Sequence, residues 1–253
     1  MIIKGSRIAV TGAASGLGAA VAMYLASLGA KVIVIDLNRG GCEQVASACH
    51  GIPCVADVRD EEALKKAFAL EEAISPLRAV VNCAGIIQAK RIIGKSGVMP
   101  LADFQTVIDI NLNGAFNVLR LGAEAMSKNS IKTEDEERGL IIQIASIAAF
   151  EGQIGQTAYS ASKGGVVSMT LPAARELASL NIRVVTIAPG LMDTPMLASV
   201  TPEYLARLQA STLFPKRLGK PHECALLAAQ IIENPYINGS VIRLDGGVRL
   251  ASC

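Results

Sequence analysis

Seven short runs of β-branched and apolar residues recur along the chain, at 7–11, 31–36, 52–57, 78–82, 140–146, 183–188 and 241–245. Most are continuously apolar instead of alternating, which is the pattern of strands covered by helices on both faces. Longer stretches with helical spacing lie between them, near 16–28, 61–74, 101–128, 158–180 and 222–233. Strands and helices alternating in this way imply right-handed crossovers. The expected architecture is α/β, a doubly wound parallel sheet of about seven strands flanked by helices, with ligands bound at the carboxyl ends of the strands.

Composition supports one packed unit. Of 253 residues, 51% are hydrophobic and 18% charged, so a large core is available. No linker rich in Pro, Gly or Ser divides the chain, and a single domain over 1–253 is expected. The formal charge is only +2, without a long basic run, which argues against nucleic acid as the primary partner. Six scattered Cys and two His form neither a zinc pattern nor a disulfide framework, so no metal is expected and the thiols read as reduced. The apolar N-terminal stretch is broken by Gly12, Gly16 and Gly18, and no run reaches the roughly 20 residues of a membrane span. These features fit a cytoplasmic or mitochondrial-matrix protein. Three segments leave the pattern: 88–100 with Lys90, Arg91 and Lys95, the charged connector 129–139, and 190–215, whose position after a strand suits a substrate lid.

The first chemical signal follows the first run, in Thr11-Gly12-Ala13-Ala14-Ser15-Gly16-Leu17-Gly18. Such glycines permit a tight turn, let backbone N–H groups approach a pyrophosphate, and aim the positive end of the next helix at it. Asp36 ends the second run 18 residues beyond Gly18, close to the spacing of roughly 20 for an acid that binds adenosine ribose. A carboxylate there accepts from the 2′-hydroxyl and repels a 2′-phosphate, favouring NAD over NADP. Arg39, three residues on, is the one nearby group able to contact a phosphate instead. Asp57 is open to two readings, an acceptor for the adenine amino group or the cap of a helix beginning near Glu61.

The second signal is Tyr159-Ser-Ala-Ser-Lys163. On a helix, positions i and i+4 share a face, so the ammonium can lie under the phenol ring. A phenol with a pKa near 10 is a poor base at neutral pH, and a nearby ammonium, helped by a positively charged nicotinamide, favours its phenolate. The expectation is therefore a lowered Tyr159 pKa. Ser146 closes the fifth run, and the loop after it leads back toward Tyr159.

With TGAASGLG, Asn82-Cys-Ala-Gly85, Asn111-Leu-Asn-Gly114, Ser146, Tyr159 to Lys163, and Pro189-Gly190 followed by Thr194, the chain resembles the short-chain dehydrogenase/reductase family over essentially its whole length. The resemblance implies a Rossmann-like fold in which Tyr159 donates and accepts the proton, Ser146 holds the substrate oxygen, Lys163 lowers the Tyr159 pKa, and Asn111 anchors a relay water. Cofactor contacts are implied for Gly12, Ser15, Gly16, Leu17, Gly18, Asp36, Asp57, Val58, Asn82, Ala84, Gly85, Tyr159, Lys163, Pro189, Gly190 and Thr194. Cys83 stands where the family usually has a second Asn. Longer matching stretches, including NLNGAFNVLRL and IASIAAFEGQIGQTAYSASKGG, are similar to the family's 3-hydroxyacyl-CoA dehydrogenases, enzymes of fatty acid metabolism. That similarity implies NAD as cofactor, an acyl-CoA partner, Gln153 and Gln156 beside the substrate, and a homotetramer.

Leu191, Met192, Met196 and Leu197 suit an acyl chain, though such residues also serve plain packing. Lys90, Arg91 and Lys95 fit either CoA phosphates or solvated surface charge. Pro172 falls inside the helix that carries Tyr159 and should kink it beyond the catalytic pair. A 3-oxoacyl or hydroxysteroid dehydrogenase/reductase, or a non-catalytic NAD-binding scaffold, are the competing functions.

Overall fold

A computed structural model of the chain describes residues 1–253 apart from 71, 73, 96, 132, 134–135, 198–200 and 253. Its main sheet consists of β1 (Arg7–Thr11), β2 (Lys31–Asp36), β3 (Ile52–Val55), β4 (Leu77–Asn82), β7 (Gly139–Ile144), β8 (Ile182–Pro189) and β9 (Val241–Leu244). Their order is β3-β2-β1-β4-β7-β8-β9, and every pairing is parallel. The chain winds outward from β1 through β2 to β3, then returns to the other side of β1 at β4. The reversal of direction between β1 and β4 opens a crevice at their carboxyl ends.

The continuous apolar runs follow from burial on both faces. Ile8 and Val10 of β1 pack with Val32, Val34, Ala79, Val81, Leu140 and Ile142 into one core, together with α1 (Gly16–Ser27) and α8 (Pro221–Glu233). Their neighbours Ala9, Ile33, Ile35, Val80 and Ile141 face the opposite way, against α3 (Glu61–Ala69), α5 (Gly114–Ser127) and α6 (Thr157–Leu177). The central strands therefore contribute alternate residues to two hydrophobic layers, and the few polar side chains among them must find partners inside the core.

Several boundaries differ from the sequence expectation. Helix α2 (Arg39–Cys49) occupies a stretch with no strong helical signal, because Gly40 and Gly41 weaken its propensity. It forms because Asn38 accepts from Gly41 N at 3.1 Å as a cap, while Cys42, Val45 and Ala46 are buried. The third helix stops at Ala69, short of 74. The long stretch 101–128 is α4 (Leu101–Ile108) and α5 joined by a π-turn, Asp109–Asn113. Helix α6 continues past Pro172 to Leu177, so the proline does not end it. Within 88–100 lies a small antiparallel ribbon of β5 (Ile93–Gly94) and β6 (Gly97–Val98). Within 190–215 lie the short turn Pro195–Leu197 and α7 (Pro202–Ser211). No described helix is long and apolar enough to cross a membrane.

Candidate active site

The glycine turn sits against the loop after β4. Gly12 has φ +62°, and a Cβ there would lie 2.7 Å from Ala84 Cα. At Gly18 a Cβ would lie 2.2 Å from the Gly12 carbonyl oxygen, so only glycine lets the first turn of α1 fold onto β1. Ser15 precedes α1 in extended backbone, and its hydroxyl makes no capping bond. The amide groups of that first turn lack intrahelical partners and form the positive end of the helix.

Asp36, at the end of β2, accepts from Ala14 N at 3.0 Å and Asn38 N at 2.9 Å, which ties its carboxylate to the turn. Arg39 lies on the exposed face of α2 and pairs with Glu43 at 3.7 Å. β3 ends at Val55, two residues before Asp57. The helix cap belongs to Asp60, which accepts from Ala63 N at 3.0 Å, and this overturns the capping alternative for Asp57. Asp57 is instead clamped by Arg59 at 2.6 Å, and that hydrogen bond holds its carboxyl below the usual carboxylate range.

The candidate catalytic, cofactor and substrate residues implied by the resemblance line one cavity of about 880 Å³, except Asn82 and Asn111. Both lie behind its wall. Asn82 accepts from Thr11 Oγ1 at 2.5 Å and donates to Gln143 Oε1 at 2.7 Å, and Gln143 donates to the Ala115 carbonyl at 3.1 Å. This buried chain of amides crosses the crest of β1, β4 and β7 and locks it to α5. Thr11 and Gln143 were not singled out from sequence, although each is a polar residue inside an otherwise apolar strand. Buried polar groups of that kind are retained only when fully paired.

Asn111 sits in the π-turn, a feature common at functional sites. It accepts from Ile86 N at 2.8 Å and donates to the Ile86 carbonyl at 2.8 Å and to Ser162 Oγ at 3.1 Å. A Cβ on Gly85 would come within 3.2 Å of Asn111 Oδ1 and 3.3 Å of Lys163 Nζ, so both side chains close on that glycine.

Ser146 follows β7 and starts a short 3-10 turn, Ile147–Ala149, its hydroxyl accepting from Ala148 N at 3.1 Å. The same hydroxyl is hydrogen-bonded to Tyr159. Tyr159 and Lys163 are buried on one face of α6, with Nζ 5.9 Å from the ring centroid. Lys163 also donates to the Ile144 carbonyl at 2.8 Å. The expected lowering of the Tyr159 pKa is corrected here: burial pushes it up, and the Ser146 hydrogen bond offsets this only in part. Burial also pushes Lys163 down, to about 8. In this chain by itself, desolvation governs both groups.

Toward the other end, Gln156 Oε1 accepts from Gln153 N at 3.0 Å and closes the loop before α6. Leu191, Met192, Met196 and Leu197 all line the cavity. The basic group at 90–95 divides: Arg91 lines the cavity, Lys90 pairs with Asp103, and Lys95 is exposed at the ribbon turn. Ile154 and Leu250 also line it, and neither was anticipated, because Leu250 follows the last strand and carries no motif. The glycine cradle, the Asp36 carboxylate and the volume of the cavity fit a dinucleotide beside a small organic substrate.

Residues 6–205 match the family described as short chain dehydrogenase. The chain is 49% identical to the Homo sapiens 3-hydroxyacyl-CoA dehydrogenase type-2, with 98% of this chain and 97% of that protein covered. It is 34% identical to the 3-oxoacyl-[acyl-carrier-protein] reductase FabG of Thermotoga maritima, covering 98% and 99%. A crystal structure of 3-hydroxyacyl-CoA dehydrogenase type-2 from Mycobacterium avium superimposes with a TM-score of 0.92 at 40% identity, over 100% of this chain and 98% of that one. The chain thus belongs to the short-chain dehydrogenase/reductase family and is an oxidoreductase of the NAD(P)-dependent kind.

Proposed function

We propose that the protein oxidises (S)-3-hydroxyacyl-CoA with short or branched acyl chains to 3-oxoacyl-CoA, using NAD. The observation that carries this reading is the Ser146, Tyr159 and Lys163 set in the same cavity as the Asp36 carboxylate and an apolar Leu/Met segment. The names of the relatives support the acyl-CoA substrate. Asp36 supports NAD, since its carboxylate is fixed toward the glycine turn while Arg39 is engaged with Glu43.

Gly12, Ser15, Gly16, Leu17, Gly18, Asp36, Asp57 and Val58 would hold the adenosine and pyrophosphate half, and Ala84, Gly85, Pro189, Gly190 and Thr194 the other. When bound, the nicotinamide supplies the acceptor for the carbinol hydride. Ser146 and Tyr159 grip the substrate hydroxyl, and Tyr159 takes its proton. Lys163, buried beneath the ring and held by the Ile144 carbonyl, stabilises the phenolate form of Tyr159 that accepts this proton. Asn111, held by Ile86 and Ser162, would anchor the relay water. Asn82 acts beneath the cofactor floor, through the Thr11 and Gln143 network, and not as a wall residue. Gln153 and Gln156 border the thioester side, and residues 190–215 serve as a lid over a single domain of 1–253.

The similarity to a 3-oxoacyl carrier-protein reductase favours reduction of carrier-bound substrates as the second reading. A panel of 3-hydroxyacyl-CoA, carrier-bound and hydroxysteroid substrates with NAD and NADP, followed at the NADH absorbance band, separates the two. Turnover confined to NADPH and carrier-bound ketones would overturn the first. A homotetramer is carried over from the resemblance, and light scattering tests it. The reading of a cytoplasmic or mitochondrial-matrix compartment is supported by Cys42, Cys49, Cys54, Cys83 and Cys224, all free thiols.

A further inference from the structure

The segment after β9 returns to the catalytic loop and is fastened there. Leu250 N donates to Glu151 Oε2 at 3.0 Å, Ile154 N donates to the Ser252 carbonyl at 3.0 Å, and Gln153 Nε2 donates to the Ala251 carbonyl at 3.2 Å. Glu151 is the hub. Its other oxygen pairs with Arg243 at 3.0 Å and with Arg249 at 3.4 Å. Arg243 in turn donates to Asp245 at 2.7 Å and to the Val248 carbonyl at 3.1 Å, and stacks 5.4 Å from the centre of the Phe150 ring. Asp245 fixes the turn by accepting from Gly247 N at 3.0 Å and from Arg249 at 3.3 Å.

These contacts hold the segment against the cavity and make it part of the wall. Gln153, Ile154 and Leu250 line the same cavity as Ser146 and Tyr159. The wall is apolar at Ile154 and Leu250. From these contacts we propose that Leu250 determines which acyl chains fit, and that Glu151 is a positioning residue that holds Leu250 at the wall. The proposal rests on the acyl-CoA reading above.

The mechanism is steric and local. A leucine presents a branched side chain whose removal opens room for added methylenes, and each methylene buried contributes about a fourfold factor in binding. Glu151 touches neither substrate nor cofactor. Its carboxylate fixes Leu250 through the main chain, so losing it should loosen the wall and weaken binding without changing the proton transfer at Tyr159.

The test uses the full chain. Rates with NAD are measured for straight-chain 3-hydroxyacyl-CoA substrates of four to eight acyl carbons, and NADH affinity is measured separately by fluorescence titration. Leu250→Ala should raise the eight-to-four-carbon ratio of kcat/KM about tenfold, and Leu250→Phe should lower it, with NADH affinity within twofold of the parent. Opposite shifts from the two variants exclude general loosening as the cause. Glu151→Ala should raise KM for the four-carbon substrate about tenfold with kcat within twofold, and Glu151→Gln, which keeps an acceptor for Leu250 N, should recover part of it. Ratios unchanged in both Leu250 variants, or a Glu151→Ala loss confined to kcat, would overturn the proposal. A parent enzyme inert toward acyl-CoA but active on a hydroxysteroid defeats the acyl-CoA reading alone. The wall is then judged by the steroid KM of Leu250→Ala, and no change there overturns it.

Discussion

Asn111 grips both halves of the peptide backbone at Ile86, accepting from its N–H and donating to its carbonyl, each at 2.8 Å. Its amide also donates to Ser162 Oγ on α6. One buried side chain thus joins the π-turn, the loop after β4 and α6. Asn111→Leu leaves the Ile86 groups and Ser162 short of partners, at about 1–3 kcal/mol for each buried group left unpaired. The expected loss is about 3 kcal/mol in urea unfolding, together with a fall in kcat. A stable variant with full activity would remove Asn111 from both roles.

Tyr159→Phe keeps the ring and its packing and removes only the oxygen that faces Ser146. Turnover should be abolished, with NADH affinity, read by fluorescence titration, within about twofold of the parent, because the ring alone packs against its surroundings. Substantial residual activity would take the proton transfer away from Tyr159.

Asp36 accepts from Ala14 N and Asn38 N, and these bonds direct its carboxylate at the glycine turn. Asp36→Ala should reduce the preference for NAD over NADP about tenfold or more by removing both an acceptor and a repulsive charge. Arg39→Ala is the control, since Arg39 pairs with Glu43 on the outer face. A preference ratio that moves with Arg39 and stays fixed with Asp36 would reverse the assignment.

Burial holds Lys163 near 8, below its ordinary 10.5. Between those two pH values the unfolded chain binds a proton that the folded chain has released, so this group makes stability rise with pH in that window. Below pH 8 both forms are protonated and the effect is flat. The stability of the parent relative to Lys163→Met should therefore be constant up to about pH 8 and then climb, by at most about 1.4 kcal/mol per pH unit. Urea unfolding at pH 7 to 10 reads this, and a difference that stays level throughout would mean that Lys163 titrates normally. The variant should be inactive at every pH.

The features legible from the sequence were those written in short-range spacing. Runs such as 7–11 and 31–36 announced themselves because both faces of β1 and β2 are buried. Tyr159 and Lys163 were visible as a pair because four residues make one helical turn. Helix α2 was missed because its two glycines suppress helical propensity, and tertiary burial of Cys42 and Val45 overrides that. Asp57 lost its capping reading because α3 begins at Glu61, directly after Asp60, whose carboxylate takes the cap, while Asp57 is held by Arg59.

Amino-acid order was sufficient for the alternation of strands and helices, the glycine turn, the acid 18 residues beyond it and the Tyr159 and Lys163 pair, since each is written in spacing along the chain, while the part given to Ser146 came from the resemblance to the family. Only the folded chain decided that Asn82 and Asn111 stand behind the cavity wall, that burial raises the Tyr159 pKa, and that Leu250 reaches the loop before α6. Those outcomes depend on contacts between residues far apart in the chain, 25 positions for Asn111 with Ile86 and 99 for Glu151 with Leu250. Desolvation and hydrogen-bond satisfaction at such places are properties of the packed interior, and no local pattern encodes them.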